Sequence, residues 1–363
     1  MNRINTFCIL LTMLVVTNAG ALNSDKISRV LDYKPAPGQH INRLFPTPAM
    51  SDTYSNALAF ANSKLVNNTS MLGLGAFGGY VIVGFDHSIV NVHGEYDFKA
   101  LGNAFTNGAE PGIIMVCQDL NKNGIPDNNE PWYELAGSEY NNSQTVHNYE
   151  LTYYRPLPDG QKSNIRWTDN QGNEGVVTHI SFASQATIYP LWITENTMTF
   201  KGTLLPKNAV QSGTTWTLPA VGTGYVDNYA NSASIDKTGF NIDWAVDESG
   251  NPVNLTYIDF IKVYTAIQQE VPVLGETSTE FAGIVDLHPD LVISEIKNNT
   301  ENSRPYRFRN KLFRLPPDAG LKIVKLNGTV VYDGLTGGSE MVLPSNEIYI
   351  IKITTEKENF IIR

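Results

Sequence analysis

Short runs of β-branched and aromatic residues recur along most of this chain, and this feature limits its fold more than any other. Examples span residues 79–85, 112–116, 149–154, 198–204 and 258–264, with glycine, asparagine, aspartate and proline between them. Such runs are typical of strands, and apolar residues at helical spacing are scarce. Many short strands without intervening helices favour an antiparallel β-sandwich or jelly roll. The sequence therefore predicts an all-β protein.

One segment departs from this pattern. Residues 51–67 place Ala57, Leu58, Ala61 and Leu65 at helical spacing, so we expect one short helix there. The chain has no fixed-period repeat, which argues against a propeller or a solenoid.

Charge divides the chain into two parts. Residues 22–296 carry 14 basic and 29 acidic side chains, whereas residues 297–363 carry 11 basic and 7 acidic ones. The sign changes at the polar stretch 297–303, which is typical of a linker. We therefore expect a β-sandwich or jelly-roll domain over 22–296 and a small all-β module over 297–363. Asn327-Gly328, between two strand-like runs, predicts a hairpin in the module.

The first 21 residues have the pattern of a secretory signal peptide. Arg3 precedes an apolar run over 7–16, and Ala19-Gly20-Ala21 offers the small residues of a cleavage site. The apolar run is too short to span a membrane. We therefore expect a secreted protein, cleaved near Ala21.

Charge and cysteine content exclude several classes of function. A net charge of −10 is unsuited to general nucleic-acid binding. Cys8 and Cys117 are the only cysteines, so no disulfide framework is expected, and Cys117 is predicted to be a buried strand residue. The sequence has no nucleophile elbow, zinc-protease helix motif, phosphate loop or dinucleotide fingerprint. A spatial pair of glycosidase carboxylates stays open, because such a pair has no sequence spacing.

The sharpest local motif is DLNKNGIPDNNE at residues 119–130. Oxygen-bearing side chains at positions 1, 3, 5, 9 and 12, with glycine at position 6, match the twelve-residue calcium loop. Strand-like flanks distinguish it from a helical EF-hand, so we expect structural Ca²⁺ rather than a sensor. The alternative is a polar hairpin without metal. The expected ligands are Asp119, Asn121, Asn123, the carbonyl of Ile125, Asp127 and Glu130.

Other polar segments are candidates for ligand contacts. Trp167, Asp169 and Asn170 combine an aromatic ring with hydrogen-bonding groups, as in sites that stack a sugar; the alternative is a turn with a packing tryptophan. Asp227 and Asn228, with segment 241–251, are candidates for a second oxygen-rich site, although residues 247–251 also suit a plain turn. The remaining tryptophans are expected in the core; they are Trp132, Trp192, Trp216 and Trp244.

Several strings together resemble a largely uncharacterised family of cell-surface proteins of Bacteroidota-type bacteria. The strings are LGAFGGY (74–80), VGFDH (83–87), YDF (96–98), GNAF (102–105), EPG (110–112), the loop 119–130, WYELAGSEY (132–140), YYRP (153–156), WTDN (167–170), YVDN (225–228), IDFIKVY (258–264) and LGETSTE (274–280). The resemblance implies a secreted or surface β-sandwich protein with a binding role. Some members are linked to nutrient capture, cobalamin uptake included. It implies no enzymatic activity and no ligand residues beyond the loop.

The C-terminal part resembles the sorting domain of the type IX secretion system. The matching strings are LKIVKLNGTVV (321–331) and NEIYIIKI (346–353), followed by a strand-like end with a terminal arginine. The usual Asn-Pro opening is replaced by FRLPP at 313–317. The resemblance implies delivery to the extracellular face of the outer membrane. The alternative is an ordinary β appendage that stays with the protein.

These observations predict a non-catalytic secreted or surface-exposed binding protein with a calcium-stabilised β-sandwich. A glycan is the first expected ligand class and a cobalamin-type nutrient the second. Outer-membrane uptake or secretion machinery is the expected partner, with no nucleic acid and no transmembrane span. The alternatives are a structural or adhesion module, which a surface without pockets would favour, and an extracellular polysaccharide hydrolase. A crevice pairing two acidic residues of perturbed pKa would favour the hydrolase.

Overall fold

The computed structural model describes most of the chain before residue 292 and separate segments after it. The described residues are 23–42, 52–157, 162–181, 183, 185–272, 274–291, 306–308, 311–313, 315, 318–325, 329–337, 340–343, 349–354 and 359–362. The expected signal peptide at 1–21 and the expected linker at 297–303 lie outside the described residues.

Strands dominate the larger part. In chain order they are β1 (Arg29–Lys34), β2 (Leu72–Gly73), β3 (Tyr80–Val90), β4 (Phe98–Leu101), β5 (Gly112–Cys117), β6 (Tyr133–Leu135), β7 (Val146–Tyr154), β8 (Ile165–Asp169), β9 (Glu174–Val177), β10 (Thr197–Leu204), β11 (Val210–Ser212), β12 (Thr215–Thr217), β13 (Gly239–Phe240), β14 (Ala245–Val246), β15 (Tyr257–Thr265), β16 (Glu270–Val271), β17 (Gly275–Glu276), β18 (Glu280–Phe281) and β19 (Gly283–Asp286). The helices are α1 (Tyr54–Leu65) and the single turn α2 (Ile235–Thr238), with 3-10 turns at Val66–Asn68 and Ile242–Trp244.

The largest sheet has the strand order β1-β3-β15-β5-β6-β14, and its neighbouring strands are antiparallel. Strand β15 lies at its centre, where Ile261 pairs with Val83 of β3 and with Val116 of β5. All three side chains are fully buried. The apolar runs at 79–85, 112–116 and 258–264 are therefore strands, as predicted.

A second sheet, β10-β7-β8-β9, packs against the same core. Along β7 the burial alternates, with Tyr149, Leu151 and Tyr153 inside and Glu150 exposed, as expected for a sheet wetted on one face. The hydroxyl of Tyr153 donates to the carbonyl of Phe77 at 3.0 Å. The two sheets thus share one hydrophobic core, and the prediction of an all-β fold is confirmed.

Helix α1 is the helix expected over 51–67. Its N-terminus is capped by Thr53, whose hydroxyl accepts the N–H of Asn56 at 3.2 Å. Ala57, Ala61 and Leu65 are buried as predicted, and Phe60 joins them, while Leu58 packs at the border of the core.

The C-terminal part contains β20 (Tyr306–Phe308), β21 (Lys311–Phe313), β22 (Gly320–Lys325), β23 (Val330–Leu335), β24 (Glu340–Val342), β25 (Tyr349–Thr354) and β26 (Asn359–Ile362). They form the sheets β20-β21-β24 and β23-β22-β25-β26. A separate hydrophobic cluster includes Leu321, Ile323, Ile351 and Ile353. Strands β22 and β23 pair as a hairpin whose tip, Asn327-Gly328, lies outside the described residues. No helix in the described ranges is long and apolar enough to cross a membrane.

Candidate functional site

The loop 119–130 folds back on itself between β5 and β6. Oδ1 and Oδ2 of Asp119 accept the backbone N–H groups of Asn123 at 3.0 Å and Gly124 at 2.7 Å. Oδ2 of Asp127 accepts the side-chain amides of Asn121 and of Asn123. Gly124 has φ of 83°, a conformation that glycine adopts without strain. The motif spacing therefore gathers these oxygen-bearing side chains within one tight turn.

Glu130 closes this loop. It is buried, and its Oε1 accepts the N–H of Leu120 at 2.6 Å while its Oε2 accepts the N–H of Asp127 at 2.9 Å. A fourth carboxylate comes from β15, where Asp259 accepts the N–H of Asp119 at 2.7 Å. Burial raises the pKa of Asp259, and the negative charges of Asp119 and Glu130 add to this effect. A bound divalent cation would stabilise an acidic loop of this kind, because it offsets the repulsion between the carboxylates.

The residues that could hold Ca²⁺ here are those of the motif. Asp119, Asn121, Asn123, Asp127 and the carbonyl of Ile125 bring only oxygen ligands, which suits a hard cation. Both oxygens of Glu130 already accept backbone N–H groups, which differs from the freely chelating carboxylate expected at position 12. Calcium in this loop stays a prediction.

Cys117, just before the loop, is the buried strand residue that the sequence predicted. Burial raises the pKa of its thiol to about 12, and the charges of Glu130 and Asp259 act in the same direction. The thiol is therefore protonated and unreactive near neutral pH.

Trp167, Asp169 and Asn170 lie on β8 and the turn after it. Both oxygens of Asp169 accept hydrogen bonds. Oδ1 accepts the N–H of Asn173 in the turn at 2.7 Å, and Oδ2 accepts the hydroxyl of Tyr149 on β7 at 2.9 Å. Asn170 donates to the carbonyl of Asn148 at 2.9 Å. Trp167 packs against the core, although its Nε1 finds no hydrogen-bond partner within the described part of the chain. These contacts favour the turn that was the alternative interpretation.

Asp227 and Asn228 separate in role. Asn228 is 1% exposed, and its side chain holds the preceding loop in place. It accepts the N–H of Val221 at 2.8 Å and donates to the carbonyls of Val221 and Gly222. Asp227 is also buried, but it belongs to a cluster of carboxylates beneath a cavity.

That cavity has a volume of about 700 Å³, and the sequence did not point to it. Its walls combine apolar, amide and acidic side chains. They include Met71, Phe105, Trp216 and Leu274, then Gln39, Asn103 and Asn107, and finally Glu110, Glu276 and Glu280. Trp216, expected in the core, instead lies half-buried in this wall.

Phe105 presents its ring at the mouth of the cavity and is 69% exposed. It starts a tight turn in which its N–H and carbonyl pair with those of Gly108 at 3.2 and 2.9 Å. A Cβ on Gly108 would lie 2.3 Å from the Phe105 ring, so glycine lets the ring lie flat on the turn. Asn107 connects this turn to the β12 side of the cavity by accepting the N–H of Leu218 at 2.8 Å through its carbonyl.

Three carboxylates meet beneath the cavity. Glu110, Asp227 and Glu280 each place a ligand atom within 4.8 Å of the others, the one such group among the described residues. Glu110 and Glu280 share a side-chain hydrogen bond. Burial raises the pKa of Asp227 to about 7, and the charge of Glu110 adds to it. Burial likewise raises the pKa of Glu280, followed by the charges of Glu110 and Asp227.

Glu276 adds a fourth acidic group and is 4% exposed. Its Oε1 accepts the N–H of Gln39 at 2.7 Å, whereas its Oε2 has no hydrogen-bond partner among the described residues. Oε1 of the buried Gln39 also lacks a donor there. Burial raises the pKa of Glu276 to about 8.

The segment 241–251 does not combine into a second site. Oδ1 of Asp243 lies 2.6 Å from Nδ1 of His93 and accepts a hydrogen bond from the side-chain amide of Asn91 at 3.0 Å. Asp247 caps a turn by accepting the N–H of Asn251 at 2.8 Å, which is the plain turn left open as an alternative.

A scan against protein-family models finds no family that matches this chain. A search of curated proteins finds no significant match either. The sequence analysis did not identify Glu110, Glu276 and Glu280 as site residues. Glu110 lies 166 positions before Glu276, and Glu276 and Glu280 stand in a polar run whose burial no periodicity indicates.

Proposed function

We propose that the protein is a non-catalytic secreted or surface-exposed binding protein and that the cavity beneath Phe105 is its ligand site. The ligand class that its walls suit first is a glycan, with a cobalamin-type nutrient second. The observation that carries the proposal is the combination in one cavity of an exposed and a half-buried aromatic ring with amides and carboxylates.

Each part of the wall has a role in this proposal. Phe105 and Trp216 offer ring faces for stacking on a sugar or a corrin-like ring. The amides of Asn103 and Gln39 and the carboxylate of Glu110 supply acceptors and donors for hydroxyl groups. The cavity volume of about 700 Å³ lies within the range of small-molecule sites. It also speaks against a purely structural or adhesion module, for which a surface without pockets was expected.

Ligand titration of aromatic variants tests this proposal. Phe105→Ala and Trp216→Ala should each weaken binding of the active glycan or cobalamin by about fivefold, since a stacked ring contributes about 1 kcal/mol. Leu191→Ala removes a comparably exposed apolar side chain outside the cavity wall and is the matched control. Equal affinity in all the variants, or no binding to any member of a glycan and cobalamin panel, would remove the cavity as ligand site.

A second candidate function rests on the pair Glu110 and Glu280. Two carboxyl groups that share a hydrogen bond in a cavity resemble catalytic acid pairs, in which one group is held protonated. This favours an extracellular polysaccharide hydrolase. Assays for released reducing ends would then show turnover by the wild-type protein and at least a hundredfold loss in Glu280→Gln. Tight binding without turnover supports the binding protein instead.

We further propose that Ca²⁺ stiffens the loop 119–130 and that the C-terminal part directs the chain to the cell surface. The separate hydrophobic cluster of that part supports an independent module. Deletion of residues 297–363 should leave the larger part folded and prevent its display at the outer membrane. Normal display of the truncated chain would refute the sorting role.

A further inference from the structure

We propose a divalent-cation site, distinct from the loop 119–130, at the floor of the cavity, formed by Glu110, Asp227 and Glu280. This inference does not depend on which organic ligand the cavity takes.

The geometry of the three carboxylates comes first. Each offers an oxygen within 4.8 Å of the other two, a separation at which a single ion can contact all three. Asp227 is held rigidly, since its Oδ1 accepts the N–H groups of Asn103 and Ala104 at 2.7 Å each, and its Oδ2 accepts the N–H of Glu280 at 2.9 Å. Gly102 leaves room for this approach, because a Cβ there would lie 2.4 Å from Oδ1 of Asp227.

The position of Glu110 is fixed from the other side. Its N–H donates to the carbonyl of Asp227 at 2.9 Å, and its Oε1 accepts the N–H of Ser278 at 3.1 Å. Its own carbonyl accepts the hydroxyl of Thr279 at 2.8 Å. The carboxylates are therefore preorganised by backbone contacts, as a metal site requires.

A second observation in the same cavity points to a ligand. Glu276 is only 4% exposed, and its Oε2 accepts no hydrogen bond from any described residue. Gln39 is 6% exposed, and its Oε1 is likewise without a donor in the described ranges. Both side chains line the cavity with Glu110 and Glu280. Buried acceptors are normally satisfied, so two unpaired acceptor oxygens in one cavity indicate a missing cation or donor.

The balance of charge agrees with a cation. Among the described residues that line the cavity, the basic side chains are Lys64 and His40. Nζ of Lys64 lies over the ring of Phe60, 5.2 Å from its centroid. A bound cation would offset the mutual repulsion of these three clustered carboxylates. A donor set made of oxygen alone selects Ca²⁺, Mg²⁺ or Mn²⁺ over zinc, and Ca²⁺ tolerates the widest range of coordination geometry among these ions.

Calorimetric titration of Ca²⁺ into residues 22–363 tests the proposal. The variants used carry a weakened loop 119–130, so that binding at the cavity floor is measured separately. In Asp119→Ala, which weakens the loop, one calcium should still bind. In the double variant Asp119→Ala/Glu280→Gln this binding should be lost. The matched control is Asp119→Ala/Glu174→Gln, which alters an exposed glutamate paired with Arg166.

A thermal melt keeps the test decisive if a variant folds poorly. Glu280→Gln removes a crowded negative charge, so in chelator it should melt at or above the temperature of the wild-type protein. In Ca²⁺ it should gain less than the wild-type protein does. An equal calcium-induced shift in both proteins, or retained calcium in the double variant, would overturn the site. Neither result would bear on glycan or cobalamin binding, which is measured separately.

Discussion

Nε2 of His87 on β3 lies 2.7 Å from Oδ2 of Asp286, the last residue of β19. The other ring nitrogen of His87 lies 2.7 Å from Oδ1 of Asp86. Asp286 in turn donates its N–H to the carbonyl of Asp25 at 2.8 Å. One histidine therefore connects the main sheet with segments from both ends of the larger part.

The stability of the protein should depend on pH through His87. Burial acts to lower its pKa, but the hydrogen bonds and charges of Asp286 and Asp86 prevail and raise the pKa of His87 above its usual 6.5. A raised pKa in the folded state stabilises the fold fully below the unfolded value, and this stabilisation is lost as pH rises through the folded value. In urea unfolding, His87→Gln should lose about 1–3 kcal/mol at about pH 5.5 and less at about pH 9. His147→Gln, whose Nε2 lies 3.0 Å from a backbone carbonyl, is the control; a pH-independent loss in His87→Gln would contradict the prediction.

The calcium loop should show as a calcium-dependent melting temperature. Asp119→Ala, Asp127→Ala and Glu130→Gln should each weaken Ca²⁺ binding and reduce the stabilisation by the ion, which is about 2.7 kcal/mol at a hundredfold excess over Kd. Glu130→Gln should also lower stability in chelator, because its oxygens accept backbone N–H groups. Asn128→Ala, at an exposed non-ligand position, is the control. Identical melting in Ca²⁺ and in chelator would refute the loop site.

Gly108→Ala should disturb the ligand site with little effect on the fold. The new Cβ would lie 2.3 Å from the far end of the Phe105 ring, so this exposed ring has to leave its position. We expect about three- to tenfold weaker ligand binding and a change in stability within about 1 kcal/mol. Gly337→Ala adds a methyl group in open space and should change neither quantity. Wild-type affinity in Gly108→Ala would show that the ring position is irrelevant.

Two asparagines that the sequence proposed as ligand residues should differ sharply in stability. Asn228→Ala removes three hydrogen bonds from a buried amide, so it should lower the free energy of unfolding by about 2–4 kcal/mol. Asn170→Ala removes one exposed side-chain contact and should lower it by less than about 1 kcal/mol. Denaturant unfolding measures both values, and similar values would contradict the structural role of Asn228.

Local patterns were sufficient for much of the fold. The strands around residues 80, 113, 150, 200 and 260 and the helix α1 follow from propensity and periodicity, which depend on neighbours along the chain. The hydrogen bonds within the loop 119–130 are local for the same reason. Cys117 also lies where its apolar run predicted.

The sites of interaction were less predictable. Trp167 and Trp216 are both tryptophans beside turn-forming residues, yet Trp167 packs on the core and Trp216 borders the cavity. Asp169 and Asp227 are both aspartates followed by asparagine, yet one caps a turn and the other joins Glu110 and Glu280. Nothing in the local sequence separates the members of either pair.

The sequence by itself determined the all-β class, the placement of its main strands and helix, and the spacing of the loop motif, because each depends on short-range geometry. The tertiary structure alone decided which acidic residues meet. Glu110, Asp227 and Glu280 converge because β18 and the segments before β5 and after β12 are brought to one place by the packed sheets. Their burial, and hence their raised pKa values, is a property of that packing and not of any one stretch of chain.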